Sequence, residues 1–247
     1  MGLIDETFRV ALSDFYYLRR NFLLLLVTSM VTPLLYMVAF GYGLGDGVTM
    51  DGVDYIAFMI PGVISLTTLT ATFDTVSHKI MVQKRFYESF DEMLLCPISK
   101  TAIILGRSLL GVAKGMMCGV ILMILGCFLS TDFHVSVQLV LMMVASCLVF
   151  SIFGVAAGII VEDLAHMSLF TSFIIIPMTF LCGTMFSLDA LPSYVRWFID
   201  ALPLSQTSDC IRALVLQWDF PLTSLAVLFG YGVAFYLLAF FALRKSE

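Results

Sequence analysis

The chain has 247 residues, of which 60% are hydrophobic and 13% charged, with a mean hydropathy of +1.01 and a formal net charge of -5. A soluble fold of this size could not bury so much apolar surface, so a soluble globular enzyme is excluded and the bilayer becomes the solvent. Net charge says nothing about partners until it is placed relative to the apolar stretches; no composition break divides the chain, and one helical domain over 1–247 with no nucleic-acid contact is expected.

The first element in chain order is amphipathic. Ile4, Phe8, Ala11, Leu12, Phe15 and Leu18 recur at helical spacing, with Asp5, Glu6, Arg9 and Ser13 on the other faces. This predicts a helix in the headgroup plane, either a membrane anchor or a partner contact, with Arg19 and Arg20 reaching lipid phosphates. Asp5 and Glu6 stand where a signal peptide would be basic, so the following apolar stretch should stay attached.

A bilayer core takes roughly 20 apolar helical residues to cross, and six stretches qualify, at about 22–44, 55–76, 110–130, 136–161, 167–186 and 221–243. Pro33, Pro61 and Pro177 each remove a helix hydrogen bond and predict kinks in spans one, two and five. These are either static packing kinks or hinges, with Pro61–Gly62 the sharpest hinge candidate. Between spans two and three, Phe86, Phe90, Met93 and Leu94 fall at i, i+4, i+7 and i+8, Glu88, Ser89, Asp91 and Glu92 fill the remaining arc, and Pro97 ends the pattern. The result is a short amphipathic helix, which is either a solvated loop helix or one whose apolar face rests in a partner's groove and passes on that partner's movement.

Span three carries Gly111, Gly115 and Gly119 at every fourth position, and span four carries Gly154 and Gly158. Such stripes allow close helix contact, within one chain or between two. Arg107 and Lys114 are seven residues apart and share a face; they either snorkel to the headgroups or form a cationic lining for an anionic lipid head or other acidic substrate. Asp74 with His78, and Glu162 with Asp163 and His166, do not complete a metal site and are expected to be solvated helix ends. No catalytic, cofactor or metal residues are expected. The six cysteines lack a C-x-x-C and read as packing thiols, Cys182 with Cys210 being the one conceivable pair. The fifth connection, 187–220, is apolar enough to lie against the membrane or plug the end of the bundle, with Leu191, Pro192, Trp197, Phe198, Pro203 and Arg212 as its candidate residues.

Eleven of the thirteen basic residues precede span one, flank the connection between spans two and three, or follow span six. Both termini are therefore expected in the cytoplasm of a multi-pass plasma-membrane protein, of prokaryotic type.

ESFDEMLLCPIS at Glu88–Ser99 resembles the coupling-helix region of type 2 ABC-transporter permeases. FMIPG at Phe58–Gly62, CGTMFSLDALP at Cys182–Pro192 and ALPLSQTSDCIRAL at Ala201–Leu214 fit the same family in the same order. The fourth connection, without a basic residue, departs from it. The resemblance implies an all-α membrane fold with six transmembrane helices, an N-terminal interfacial helix, a cytoplasmic coupling helix and short external re-entrant helices capping the translocation path. It implies that Phe86, Glu88, Ser89, Phe90, Glu92, Met93, Leu94, Leu95 and Pro97 contact a separate nucleotide-binding ATPase subunit, and that a second permease copy completes the unit. No G-x-x-x-x-G-K-[ST] occurs, so ATP and Mg belong to the partner. The expected role is that of a permease subunit of an exporter for an amphipathic, lipid-linked or drug-like substrate. An ion-coupled transporter would need titratable groups at mid-membrane and often inverted repeats; a membrane scaffold is the other alternative.

Overall fold

The computed structural model describes residues 2–43, 49–50, 53–87, 89–130, 133–161, 163–183 and 192–245. α1 (Leu3–Arg20) places Asp5 and Glu6 in its first turn and Arg19 and Arg20 in its last, matching the helix dipole at both ends. After Asn21 the chain enters α2 (Phe22–Tyr36), which continues through a π-helical segment, Met37–Tyr42. A minimal antiparallel pair, β1 (Thr49–Met50) and β2 (Val53–Asp54), sets Thr49 opposite Asp54 and leads into α3 (Tyr55–Arg85). Next come α4 (Ser89–Leu94), α5 (Lys100–Leu129) and α6 (Val137–Ile160), the last capped by the Ser136 hydroxyl accepting from the Leu139 amide. α7 (Leu164–Phe170), a second π-helical segment (Thr171–Ile175) and α8 (Ile176–Leu181) form one continuous rod. α9 (Ser193–Asp200), α10 (Pro203–Val215) and α11 (Leu222–Lys245) complete the described chain.

Six of these rods are long and apolar enough to cross a membrane: Phe22–Gly41, Tyr55–Arg85, Lys100–Leu129, Val137–Ile160, Leu164–Leu181 and Leu222–Lys245. The protein is an all-α membrane protein, as the sequence predicts. The fifth span lies at Leu164–Leu181 and not at 167–186, and two other boundaries move further. α3 runs on to Arg85 and α5 starts at Lys100, because Lys79, Lys84 and Arg107 find partners inside the bundle and do not need to end the helix to reach water. Lys84 Nζ donates to the Ile159 carbonyl at 2.9 Å, and Lys79 and Arg107 both reach Asp14.

α3, α5 and α6 form the core, and glycine decides how closely they meet. A Cβ built on Gly111 would collide with the Ser151 hydroxyl of α6; on Gly115 it would lie 2.5 Å from Thr72 Cγ2 and 2.8 Å from Cys147 Sγ; on Gly119 it would strike the Met143 methyl. From α6, a Cβ built on Gly154 or Gly158 would stand 3.0 Å from the Phe73 or Ser77 carbonyl oxygen of α3. Both stripes are therefore spent inside one chain. The Ser151 hydroxyl donates to the Ser108 carbonyl across the contact at 2.7 Å. Around this core Phe73, Phe153, Phe170 and Phe235 join α3, α6, α7 and α11, with the Phe153 and Phe235 rings 4.3 Å apart. α2, the α7–α8 rod and α11 stay on the periphery and keep most of their apolar surface exposed. Pro61 and Gly62 are buried inside α3, which passes through them as one helix.

Overpacking a dense core costs about 1–3 kcal/mol per substitution. Gly115→Val should therefore lower the unfolding temperature of the detergent-purified protein and its yield. Gly230→Ala, with nothing within 4 Å of the new Cβ, should leave both unchanged or slightly raised. Equal thermal stability of the two variants would contradict this account of the core.

Candidate functional site

At the end of the bundle that holds α1 and the last turn of α11, α1 is bound into the protein by two polar contacts. The Glu6 carboxylate accepts from the Ser99 amide at 3.0 Å and from its hydroxyl at 2.8 Å, so a residue of α1 caps α5. These bonds hold the Glu6 carboxyl below the usual carboxylate range. Since the folded-state value is the lowered one, the contribution of this cap is present above the unfolded value and lost as pH falls through the folded one. Eight residues on, Asp14 is 1% exposed and its Oδ1 meets Arg107 Nη1 at 2.6 Å and Lys79 Nζ at 2.8 Å. Lys79 also lies over the Tyr17 ring, 4.4 Å from its centroid. Gly106 admits this approach, since a Cβ there would stand 2.7 Å from Val10 Cβ.

The buried face of α1 is thus Val10, Asp14 and Leu18, whereas Ile4, Phe8, Leu12 and Phe15 point outward. Sequence periodicity identifies the apolar stripe, of which Ile4, Phe8, Leu12 and Phe15 are turned away from the bundle while Leu18 is buried in it. The signal for Asp14 was its place at i+4 from Val10 and i−4 from Leu18. Arg107, one of the two candidate anion contacts, spends its charge on this carboxylate.

Removing one partner of a buried ion cluster strands the others, at a cost of roughly 3–5 kcal/mol. Asp14→Asn should destabilise the purified protein by about that amount and open α1 to protease. Asp5→Asn, which breaks the exposed pair with Arg9, should cost under about 1 kcal/mol. Denaturation in mild detergent compares the two.

Beside this cluster opens a groove between α2 and the α7–α8 rod, floored by one face of α3. It comprises two adjoining cavities of about 970 and 500 Å³ that share Asp74, Lys114, Thr171 and Ile176. The larger takes in Tyr17, His78, Lys79, Gln83 and Tyr87; the smaller takes in Thr28, Thr32, Pro33, Tyr36, Thr70 and Phe180. The second π-helical segment, Thr171–Ile175, supplies Thr171, Ser172 and Ile175 to its lining, and the first, Met37–Tyr42, begins directly after the lining residue Tyr36. Such segments turn side chains out of the regular helical register and recur at functional sites. Several lining hydroxyls donate within their own helices, as Thr28 does to the Leu24 carbonyl and Thr70 to that of Leu66. Because α3 continues to Arg85, Asp74 lies well inside a span and not at a solvated end. Periodicity alone could not find it, since its exposure depends on which neighbours flank α3. Pro33 lines the groove and Pro177 lies just beyond its second π-helical segment, in α8.

α4 packs at the α1 end with Phe90 fully buried among Val76, Ile80, Ile103 and Leu243, and with Met93 and Leu94 half-buried against the same cluster. Phe86, Tyr87, Glu92, Leu95 and Pro97 face outward, and Ser89 lines the larger cavity. Glu88 lies outside the described residues. The predicted apolar face is therefore divided, Phe90 holding α4 to the bundle and Phe86 and Leu95 left free of it.

At the opposite end α9 and α10 form a helical hairpin that dips into the bundle. Its turn is tied down where the Tyr231 hydroxyl donates to the Ala201 carbonyl. Tyr231 lies about 14 Å along α11 from Leu222 at 1.5 Å per residue, so the hairpin reaches far below the span ends. α10 is buried almost throughout from Pro203 to Val215. Arg212 donates to the Gly183 carbonyl at 2.9 Å and stacks on Phe58, 3.9 Å from its centroid. Pro192, Trp197 and Phe198 are exposed, Trp197 to 77%, so the aromatic residues face outward and not into this chain. Leu191 lies outside the described residues. Cys182 and Cys210 are both free and buried.

Six spans, a half-buried helix at one end, a re-entrant hairpin at the other and a polar groove between peripheral rods define a membrane transport subunit. The model of the ABC-2 type transporter family matches residues 10–216, and the chain belongs to that family. It is 28% identical over 226 residues to the inner membrane transport permease YadH of Escherichia coli (strain K12), covering 90% of this chain and 88% of that protein. It is also similar to Nodulation protein J of Bradyrhizobium diazoefficiens, 26% identical over 195 residues, and to that of Rhizobium meliloti, 27% identical over 191 residues. These alignments cover 78% and 76% of this chain and 74% and 72% of the two relatives. Membership implies an ABC ATPase as partner.

Proposed function

We propose that the chain is the membrane-spanning half of an ATP-driven exporter, in which two copies flank a shared path and two ATPase subunits bind the end that carries α1 and the last turn of α11. The observation that carries this reading is the groove itself: polar, lined by α2, α3, α5 and the α7–α8 rod, and open on the side where α2 and that rod leave their apolar faces uncovered. A second copy across this opening would convert two grooves into one enclosed path. Closure of the ATPases would push on Phe86, Tyr87, Glu92 and Leu95, and Phe90 would pass the movement to α3, α5 and α11 through the cluster it fills. The substrate is amphipathic, since the groove has hydroxyls and charges on its floor and apolar rods at its mouth. The hairpin of α9 and α10 closes the outer end.

Coupling is tested on residues that face away from the bundle. Glu92→Arg with Leu95→Asp should reduce ATP-dependent transport at least about tenfold while the protein still folds and reaches the membrane. Phe90→Ala, which empties a packed site, should lower stability by about 3–5 kcal/mol. Wild-type transport and wild-type ATPase association in the double variant would refute the docking role of α4.

Orientation follows from the placement of the basic residues. The native thiol Cys96 is exposed and should resist an impermeant maleimide in intact cells but react after lysis. A cysteine at Tyr194, in a Cys96→Ser background, should react in intact cells. The opposite pattern would invert the topology and remove the ATPase site from the cytoplasm.

A further inference from the structure

Lys114 is 7% exposed and stands about 21 Å along α5 from Lys100 at 1.5 Å per residue, deep in the span. Among the described residues its ammonium makes no hydrogen bond and no ion pair. The contrast with Lys79 and Arg107 is direct, for both of those reach Asp14. Its counter-charge is the carboxylate of Asp74, with which it interacts through space and not through a hydrogen bond, and a largely buried lysine held this loosely inside a membrane marks a functional position. Across the groove Asp74 of α3 borders both cavities with Lys114, and its carboxylate likewise accepts no hydrogen bond among the described residues. Thr171 Oγ1, at the same junction, is buried and has no partner. Three polar groups from three helices, none of them hydrogen-bonded to another described residue, thus converge on the place where the two cavities meet.

The arrangement selects among ligands. A simple anion on Lys114 would bring its charge towards the Asp74 carboxylate, and a simple cation on Asp74 would approach Lys114. One molecule carrying both charges satisfies the pair without repulsion. Its apolar tail has a course past Leu25 and Ile176 towards the open side of the groove.

Resting on the reading of this groove as the transport path, we propose that Lys114 and Asp74 form the headgroup site for a zwitterionic, phospholipid-like amphiphile, with its phosphate on Lys114 and its ammonium on Asp74. Thr171 donates to the phosphate. Arg107 takes no part, being committed to Asp14.

The test uses the purified permease in a maltoside detergent, whose headgroup is uncharged, and three fluorescent probes with the same acyl length: a phosphatidylethanolamine, a phosphatidic acid and an alkylamine. The wild type should bind the phosphatidylethanolamine most tightly. Lys114→Gln should weaken the two phosphate probes about tenfold and spare the alkylamine, whereas Asp74→Asn should weaken the phosphatidylethanolamine and the alkylamine about tenfold and spare the phosphatidic acid. Lys114→Arg should retain the phosphate probes, which separates loss of charge from loss of fold. Equal affinity for all three probes, no binding, or the same loss for every probe in both variants would overturn the assignment. If that happened while an ATPase still co-purified and drove transport, the headgroup site alone would fall. Selective binding without ATPase association would overturn the transport reading and leave the site standing.

Discussion

Backbone contact between α3, α5 and α6 is the constraint on which the rest of the protein depends. Lipid is as apolar as leucine, so helices in a bilayer gain little by hiding hydrophobic side chains from it and associate mainly through dispersion and hydrogen bonds. Gly111, Gly115, Gly119, Gly154 and Gly158 remove the side chains that would hold these three helices apart. Once α3 is enclosed along most of its length, α2 and the α7–α8 rod have only its remaining face to lean on. The space they do not fill is the groove. Its polar floor follows from the same geometry, since Asp74 and Thr70 occupy the one side of α3 that neither α5 nor α6 covers.

The electrostatics of the α1 end follow a different rule. Two cations from two spans converge on one carboxylate supplied by α1, so an element outside the six spans neutralises charge within them. α1 is consequently a member of the folded bundle as well as a surface-lying helix, bound at one point by Asp14 and at another by Glu6 on the first turn of α5. Motion of α4 reaches the same cluster, since the Arg107 guanidinium lies 3.6 Å from Met93 Sδ. The face proposed for the ATPase and the floor of the groove are therefore joined through a few side chains.

Much of this was legible in the sequence. Length and hydropathy located all six spans, four-residue glycine spacing marked the close contacts, and the apolar spacing around Phe90 marked α4. What periodicity could not convey is direction. In water an apolar stripe faces the core, but in a bilayer it can face lipid or a second chain, and most of the α1 stripe and Trp197 with Phe198 are turned outward. The informative residues were instead the polar ones on the opposite arc, Asp14 above all. Span ends are misplaced for a related reason: charge in a sequence reads as a solvated position, whereas Lys79, Lys84 and Arg107 are satisfied by protein. The same inference puts Asp74 at a solvated end, and Lys114 can be placed on a face but not beside its neighbours, because nothing local records which helices leave a gap.

The two π-helical segments bear on how related chains can differ in length. Deleting a residue from a regular transmembrane helix turns everything beyond it by about 100° and presents the wrong face to every neighbour. A π-helical turn holds one surplus residue, so a deletion within Met37–Tyr42 or Thr171–Ile175 can be absorbed by reversion to ordinary α-helix with both flanks keeping their facing. A deletion at either place, inside a hydrophobic span, would therefore alter the rod that carries it without turning the helices packed behind it.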